Sequence, residues 1–262
     1  MSKLTTIAFA TCALAVISAP ALAADVPQRP VPVPHAVMTG WYLRGDIGYS
    51  NQQVDELFNV LYEGVGVTDV NNISAEFDGG PTFGIGLGYR INNWFRTDVT
   101  GEYRSKVDFS GLDIITIPGD PFPVVPNNYD AKKSEWLVML NGYWDMGSWH
   151  GISPFIGAGV GAANIEISGF TDVGIGSISG GPAISYGGDH DEWNFAWALH
   201  AGVGFEVTEA FTLELAYRYL DLGDAASGDL IASDGTNTID NPMEFEDITS
   251  HDVKLGVRYT FW

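Results

Sequence analysis

Residues 94–109, WFRTDVTGEYRSKVDF, confine charge to alternate positions. All six charged side chains are at even numbers: Arg96, Asp98, Glu102, Arg104, Lys106 and Asp108. The odd numbers carry small residues and the apolar or aromatic side chains Phe95, Val99, Tyr103, Val107 and Phe109. Since successive side chains of a β-strand point to opposite faces, this period of two predicts a strand. Its even positions are expected to face water and its odd positions an apolar medium.

The same period recurs in eight segments from Gly40 to the end of the chain. The links after the second, fourth and sixth segments are short. The other links are long and rich in Gly, Asp, Asn and Pro, and they cover residues 51–76, 110–133, 168–191 and 221–250. Short turns on one side and long loops on the other are typical of outer-membrane barrels. The pattern predicts an all-β fold: an eight-stranded antiparallel up-and-down transmembrane β-barrel with four long external loops and short periplasmic turns.

Aromatic residues lie at both ends of the predicted strands. Amphipathic rings collect at the two membrane–water boundaries, so a spanning barrel is expected to carry two girdles. The girdle at the short-turn ends comprises Trp41, Tyr89, Phe95, Trp144, Phe205, Phe211 and Phe261. The girdle at the long-loop ends comprises Tyr49, Tyr103, Trp136, Trp193 and Tyr219.

A soluble β-sandwich is the alternative to a membrane barrel. The apolar faces carry far more large side chains than the roughly dozen that the interior of a small barrel holds. A sandwich would also expose strand glycines such as Gly84, Gly86 and Gly88, which weaken a strand and pack against nothing. Inside a narrow barrel the same glycines make room for long polar side chains. We therefore expect the polar faces to line the lumen and the apolar faces to contact lipid.

The predicted inner faces carry balanced charge. Charges in a low-dielectric interior need partners, so we expect an ion-pair network that plugs the lumen, although exchanging pairs would leave a narrow or gated passage possible. The basic members are Arg44, Arg90, Arg96, Arg104, Arg218, Lys254 and Arg258. The acidic members are Asp46, Asp98, Glu102, Glu135, Glu206, Glu214 and Asp252.

The first residues predict export. Lys3, an apolar stretch and the Ala21-Leu22-Ala23 cleavage site indicate a signal peptide over 1–23. A Pro-rich periplasmic lead-in is expected over 24–39 and the barrel over 40–262. Cleavage would remove Cys12, the only cysteine, and with it any disulfide or cysteine metal site. No later run of about 18 apolar residues predicts a transmembrane helix.

The chain is strongly acidic, with a net charge of −21, which argues against nucleic acid as a partner. The four long links carry −5, −1, −3 and −8. Solvation of loops explains most of this excess, and the functional alternatives are divalent-cation bridging to lipid phosphate or exclusion of anions from a pore mouth. Asp189, Asp191 and Glu192 form a weak cation candidate without the spacing of a calcium loop. No cofactor is predicted.

The histidines do not predict catalysis. His200 is expected to fill the lumen as a hydrogen-bonded side chain. His251 lies between Ser250 and Asp252, but neighbours on a strand point to opposite faces and cannot form a nucleophile–base chain. His190 and Asp191 are a weak candidate for a loop-base protease site. The sequence therefore predicts a protein that is not an enzyme.

The last strand, HDVKLGVRYTFW (251–262), alternates apolar residues and ends in aromatic ones. It resembles the insertion signal of outer-membrane barrels, carried here by Val257, Tyr259, Phe261 and Trp262, with either Phe261 or Trp262 as the terminal aromatic. With GWYLRGDIGYS (40–50) and FIGAGVGAA (155–163), the chain resembles the small outer-membrane β-barrel family of Gram-negative bacteria, especially its opacity-type and hemin-binding-type members.

This resemblance implies residence in the outer membrane. It also implies contact with outer-membrane lipid, lipopolysaccharide and the insertion machinery. It leaves three functions open. These are a structural barrel anchor whose acidic surface loops support envelope integrity or surface interaction, a narrow cation-preferring porin, and a surface binder of a ligand such as hemin.

Overall fold

A computed structural model describes residues 39–64, 67–119, 123–175, 183–237 and 239–261. The predicted signal peptide, the lead-in up to residue 38 and Trp262 lie outside the described residues. Within them, one short 3-10 helix spans Val60–Glu63. The strands are β1 (Gly40–Gln53), β2 (Glu56–Phe58), β3 (Asp69–Phe77), β4 (Gly80–Arg90), β5 (Phe95–Thr116), β6 (Val124–Asp145), β7 (Ile152–Gly174), β8 (Ala183–Gly187), β9 (His190–Glu206), β10 (Phe211–Ala226), β11 (Leu230–Ala232) and β12 (Glu244–Phe261). No helix in these ranges is long and apolar enough to cross a membrane.

Eight of the strands form a closed antiparallel ring. Its order is β1, β4, β5, β6, β7, β9, β10 and β12. The ring closes between the first and last strands, where Trp41 lies opposite Phe261 and Tyr49 opposite Val253. Closure pairs the backbone of each strand on both sides, which is what a spanning sheet requires in hydrocarbon. The predicted eight-stranded barrel is confirmed.

The barrel wall continues beyond the long-loop girdle. Strands β5 and β6 have 22 residues each and β7 has 23. A strand of that length follows a path of about 70 Å, whereas the apolar band of an outer-membrane barrel is about 25 Å tall. Segment 110–133, expected from the sequence to be a loop, is therefore mostly strand. Three further strands add to this external wall: β3 pairs with β5, β8 pairs with β7, and β11 pairs with β8.

A β-bulge in β5 changes which residues face the lumen. Arg104 lies opposite Glu135 and Val107 opposite Lys133, so two residues of β5 oppose one residue of β6. One extra residue shifts the alternation of faces. Beyond the bulge, Val107 and Phe109 are buried inside. The prediction that even positions of 94–109 face inward is correct from Arg96 to Arg104 and wrong for Trp94, Lys106 and Asp108, which lie on the exposed outer surface.

The interior consequently has two layers. The lower layer, between the two girdles, contains buried charged and polar side chains. The upper layer, surrounded by the external wall, is an apolar cluster whose larger members are Leu57, Phe77, Phe109, Tyr129, Ile165, Ile167, Phe170, Leu220, Leu222, Met243, Phe245 and Ile248.

Candidate functional site: a lumen filled in two layers

The upper part of the lower layer is an ion-pair network around Glu102. Arg218 donates from Nη2 to Glu102 Oε1 at 2.6 Å, and Arg104 Nη1 lies 3.1 Å from the same oxygen. Lys254 binds the second carboxylate oxygen of Glu102. Arg104 also donates to Asp252 Oδ2 at 2.9 Å. These groups come from β5, β10 and β12, so the network ties opposite sides of the barrel together.

The part near the short turns contains three more carboxylates. Asp98 accepts from Arg44 Nη1 at 3.1 Å and from Tyr42 at 3.0 Å. Arg96 Nε donates to Asp145 Oδ1 at 3.1 Å, and its Nη2 lies 3.3 Å from Glu214 Oε1. Arg258 Nε lies 3.2 Å from the same Glu214 oxygen. Cations and carboxylates alternate here, which is how buried charges offset each other's desolvation.

Glycines on the inner face create the room for this network. A Cβ atom at Gly84 would lie 2.7 Å from Asp46 Oδ1. A Cβ atom at Gly88 would overlap the ring of Tyr42, and one at Gly159 would overlap Asn141. The remaining space is small, since a lumenal cavity lined by Arg44, Asn141 and neighbouring side chains has a volume of about 10 Å³. That volume holds about one water molecule.

The structure brings most of the predicted lumenal charges together. Arg90 is half-buried near the short turns, 3.4 Å from Asp145. Glu206 is outside the network, because it is exposed at the end of β9 and accepts from Ser153 Oγ at 3.1 Å. Sequence reasoning missed Lys133 and Asp145, which are buried members. Both have odd residue numbers, like Glu135 on the same strand β6, and this shared parity is the signal that they face the lumen.

The upper layer is built from stacked and edge-on rings. The ring centroids of Phe77 and Phe109 are 4.9 Å apart, and those of Phe109 and Phe245 are 5.0 Å apart. Tyr129 stacks on Phe170 at 5.7 Å. Lys133 joins the two layers: its ammonium binds Glu135 and lies 4.2 Å above the centre of the Phe77 ring. The apolar packing therefore begins directly above the charged network.

The segment between β1 and β3 covers the upper layer. We name residues 54–64 the lid. Its strand β2 pairs with residues 244–246 of β12, and Leu57 is 2% exposed within the apolar cluster. Asn59 caps the 3-10 helix by accepting from Leu61 N at 2.9 Å, and its amide donates to the Asn241 carbonyl at 2.9 Å. The first long link is thus fastened to the fourth.

The predicted girdle residues lie on the outer surface; the short-turn girdle is at the strand ends, whereas members of the long-loop girdle such as Tyr103 and Trp136 lie within β5 and β6. Trp136 is 59% and Trp193 63% exposed to the surrounding medium. Tyr103 packs against Trp136 at 4.9 Å, and Trp41 against Tyr89 at 5.3 Å. Sequence reasoning missed Trp94, whose ring centroid lies 5.9 Å from that of Trp144.

Asp189 and Asp191, two members of the weak cation candidate, bind different partners. Asp189 accepts from Gly169 N at 3.1 Å, whereas Asp191 accepts from the amide of Asn164 at 3.0 Å. The described part of the chain contains no cluster of three His, Cys, Asp or Glu side chains suited to a metal ion.

The two strand histidines are engaged separately. His200 Nε2 lies 3.2 Å from Asn141 Oδ1 inside the lumen. His251 is on the outer face, 2.5 Å from the hydroxyl of Tyr217. Ser250 and Asp252 are buried on the inner face, where Ser250 Oγ donates to Asp252 Oδ1 at 2.6 Å, so His251 on the opposite face does not meet either of them.

Comparison with known proteins connects this architecture to a family. A family model described as outer membrane protein beta-barrel domain matches residues 9–261. An uncharacterized protein of Brucella abortus is 33% identical over 297 residues, covering 97% of this chain and 98% of that protein. Outer membrane protein PagN of Salmonella typhimurium is 28% identical over 183 residues, covering 68% and 72%. A putative adhesin of Rickettsia felis is 27% identical over 223 residues, covering 84% and 87%.

Proposed function

The chain belongs to the outer membrane protein beta-barrel family and resides in the bacterial outer membrane, and we propose that it is a non-conducting anchor that presents an acidic surface outside the cell. One observation carries the proposal: two successive layers fill the lumen, first the charged network and then the apolar cluster. An ion in transit would have to displace the buried network around Glu102 and then cross the apolar cluster around Phe245. Placing a hydrated ion in that cluster would cost far more than thermal energy.

The external surface supports a role in interaction. Its acidic excess includes Glu56 and Glu246, which are direct cross-strand neighbours on β2 and β12. Like charges in that position destabilise a sheet, so their presence favours a cationic partner such as a divalent ion or a basic surface. The similarity to a protein named as a putative adhesin agrees with such a role.

Two lysines support contact with the outer leaflet. Among the described residues, Lys106 and Lys132 are the basic side chains on the outer surface, and they lie beyond Tyr103 and Trp136 along β5 and β6. The remaining described lysines and arginines line the lumen. A position just outside an aromatic girdle is suited to the phosphates of lipid or lipopolysaccharide. Contact with the insertion machinery remains a prediction from the aromatic C-terminus.

The proposal includes no enzymatic activity. Within the described ranges His251 pairs with Tyr217, and His200 with an asparagine, so neither histidine is joined to a serine, threonine or cysteine nucleophile. The hemin-binding alternative remains a prediction.

Single-channel recording in a planar bilayer tests the proposal. Refolded protein, with folding confirmed by a heat-dependent gel shift, is expected to give no steady current. Phe245→Ala, which opens only the upper layer, is expected to remain silent because the charged network is intact. Steady cation-selective openings of the unmodified protein would instead establish the narrow porin and remove the anchor proposal.

A further inference from the structure

One buried carboxylate joins the lid to the opposite side of the external wall, in addition to the pairing of β2 with β12. The hydroxyl of Tyr62, in the 3-10 helix of the lid, donates to Asp113 Oδ2 on β5 at 2.5 Å. Tyr129 of β6 donates to the same oxygen at 2.6 Å. Asp113 is 0% exposed, and its other oxygen, Oδ1, has no hydrogen-bond partner. The contact spans 51 residues of sequence and joins the lid to the external wall.

A second carboxylate lies on the other side of Tyr129, on the next strand of the wall. Asp172 of β7 is the direct cross-strand neighbour of Tyr129, and its Oδ1 is also buried without a partner. The groups that face the two carboxylates are Tyr62 from the lid, Tyr129 and Asn127 from β6, Asn72 from β3 and Ser185 from β8, and none of them carries a positive charge. Within the described part of the chain, no lysine or arginine forms an ion pair with Asp113 or Asp172; the ion pairs of the external wall are those of Lys106 and Lys132 on its outer face.

Asp113 is fully buried, Asp172 is half-buried, and neither pairs with a lysine or arginine of the described residues, so the two carboxylates cannot both be ionised at low cost. Burial raises the pKa of Asp172 to about 7, and the nearby charge of Asp113 adds to that rise. Burial also raises the pKa of Asp113, although the hydrogen bonds from Tyr129 and Tyr62 oppose the rise. Both aspartates lie in the external wall, outside the membrane-spanning segments. The closed lid therefore retains a proton at pH values where a solvated aspartate has lost it.

We propose that Asp113, Asp172 and Tyr62 form a pH-responsive latch, which holds the lid closed over the upper layer in acid and loosens it as the medium approaches neutrality. An aspartate exposed by lid opening would titrate near its ordinary pKa of about 4. Because the closed state has the higher pKa, its advantage is complete below about pH 4 and is lost as the pH rises through 7. Above that value both states are ionised and the opening equilibrium becomes constant. Release of the lid uncovers the aromatic rings of the upper layer.

Hydrogen exchange of the refolded full chain measures this equilibrium directly. The observable is the protection factor of amides in residues 55–63, which is the intrinsic exchange rate divided by the measured rate and so removes the pH dependence of the chemistry. We expect protection to fall on the order of 100-fold between pH 5 and pH 8, and then to level off. Amides of residues 253–260 in β12 provide the internal reference, and their protection is expected to remain constant.

Three variants separate the latch from general loosening. Asp172→Asn is expected to flatten the pH dependence and to keep the lid protected at pH 8. Tyr62→Phe is expected to lower protection already at pH 5, since the bond to Asp113 is lost. Asp130→Asn, an exposed carboxylate on the outer face of β6, is the matched control and is expected to follow the unmodified chain. Constant protection in the unmodified chain, or an unchanged pH dependence in Asp172→Asn with β12 still protected, would overturn the proposal.

Discussion

Arg104 and Phe109 lie five residues apart on β5, both point into the lumen and both are 1% exposed. Arg104 is surrounded by Glu102, Glu135 and Asp252, whereas Phe109 contacts the rings of Phe77 and Phe245. The same strand thus supplies a charged interior and an apolar interior within a few residues. The bulge at Ser105 and Lys106 is the point where one replaces the other.

The medium outside the wall explains the difference. Around the lower layer the outer positions face hydrocarbon, so they are apolar and the polar alternate positions must point inward. Around the upper layer the outer positions face water, and the ordinary rule of a soluble protein returns, with apolar side chains inside. The bulge in β5, and further irregularities in β10 and between β6 and β7, occur where the strands leave the girdle. A single extra residue is enough to invert the two faces.

Removing one member of the lower layer is expected to have the largest effect. Glu102→Ala would leave Arg218, Arg104 and Lys254 with an uncompensated charge in a buried site. We expect a loss of roughly 3–5 kcal/mol in the free energy of unfolding, measured by urea titration in lipid bilayers. Glu206→Ala is the matched control, since that carboxylate is exposed, and it is expected to cost within about 0.5 kcal/mol. Equal losses in both variants would contradict a network that stabilises the barrel.

Truncating the upper layer should have a smaller and local effect. Phe245→Ala removes the ring that joins Phe109 to Phe170, and we expect a cost of about 3 kcal/mol from the lost burial and the cavity. The heat-dependent gel shift is expected to persist, because the lower layer is untouched, while amide protection of the lid falls. Tyr186→Ala, at an exposed aromatic on β8, is the control with little expected change. Loss of the gel shift in Phe245→Ala would show that the layers do not unfold separately.

Much of the lower layer could be predicted from the sequence, because one face of each strand contacts lipid and the other faces the lumen. Apolar and polar residues therefore alternate along the strand. Parity alone places Glu102, Arg104 and Asp252 in the lumen. Parity is wrong for Glu206, which follows the same pattern but lies at the rim, where the strand ends and water is available. Parity does not reach Lys133, because its segment reads as a polar loop.

The upper layer and the lid could not be predicted in the same way. Val107 and Phe109 continue the apolar parity of Tyr103, and no residue in 94–109 is diagnostic of the bulge that turns them inward. The bond between Tyr62 and Asp113 joins two of the long links, and their relative position depends on the packing of several strands. A sequence pattern indicates which face of a strand each residue is on, whereas contacts between distant links depend on how the strands of the wall are assembled.

Deleting Lys106 tests whether the bulge does no more than set which residues of β5 face the lumen. This change should have the smallest effect on stability. Without that residue, Ser105 alone would oppose Ser134, and Val107 would still lie opposite Lys133 and face inward. The exposed ion pair of Lys106 with Glu166 would be lost, at a cost of less than about 1 kcal/mol. We therefore expect an unchanged gel shift and lid protection close to that of the unmodified chain, with Lys106→Ala as the control for the lost charge. Collapse of lid protection in the deletion but not in Lys106→Ala would mean that the bend produced by the bulge, and not only the facing of Val107, positions the upper layer.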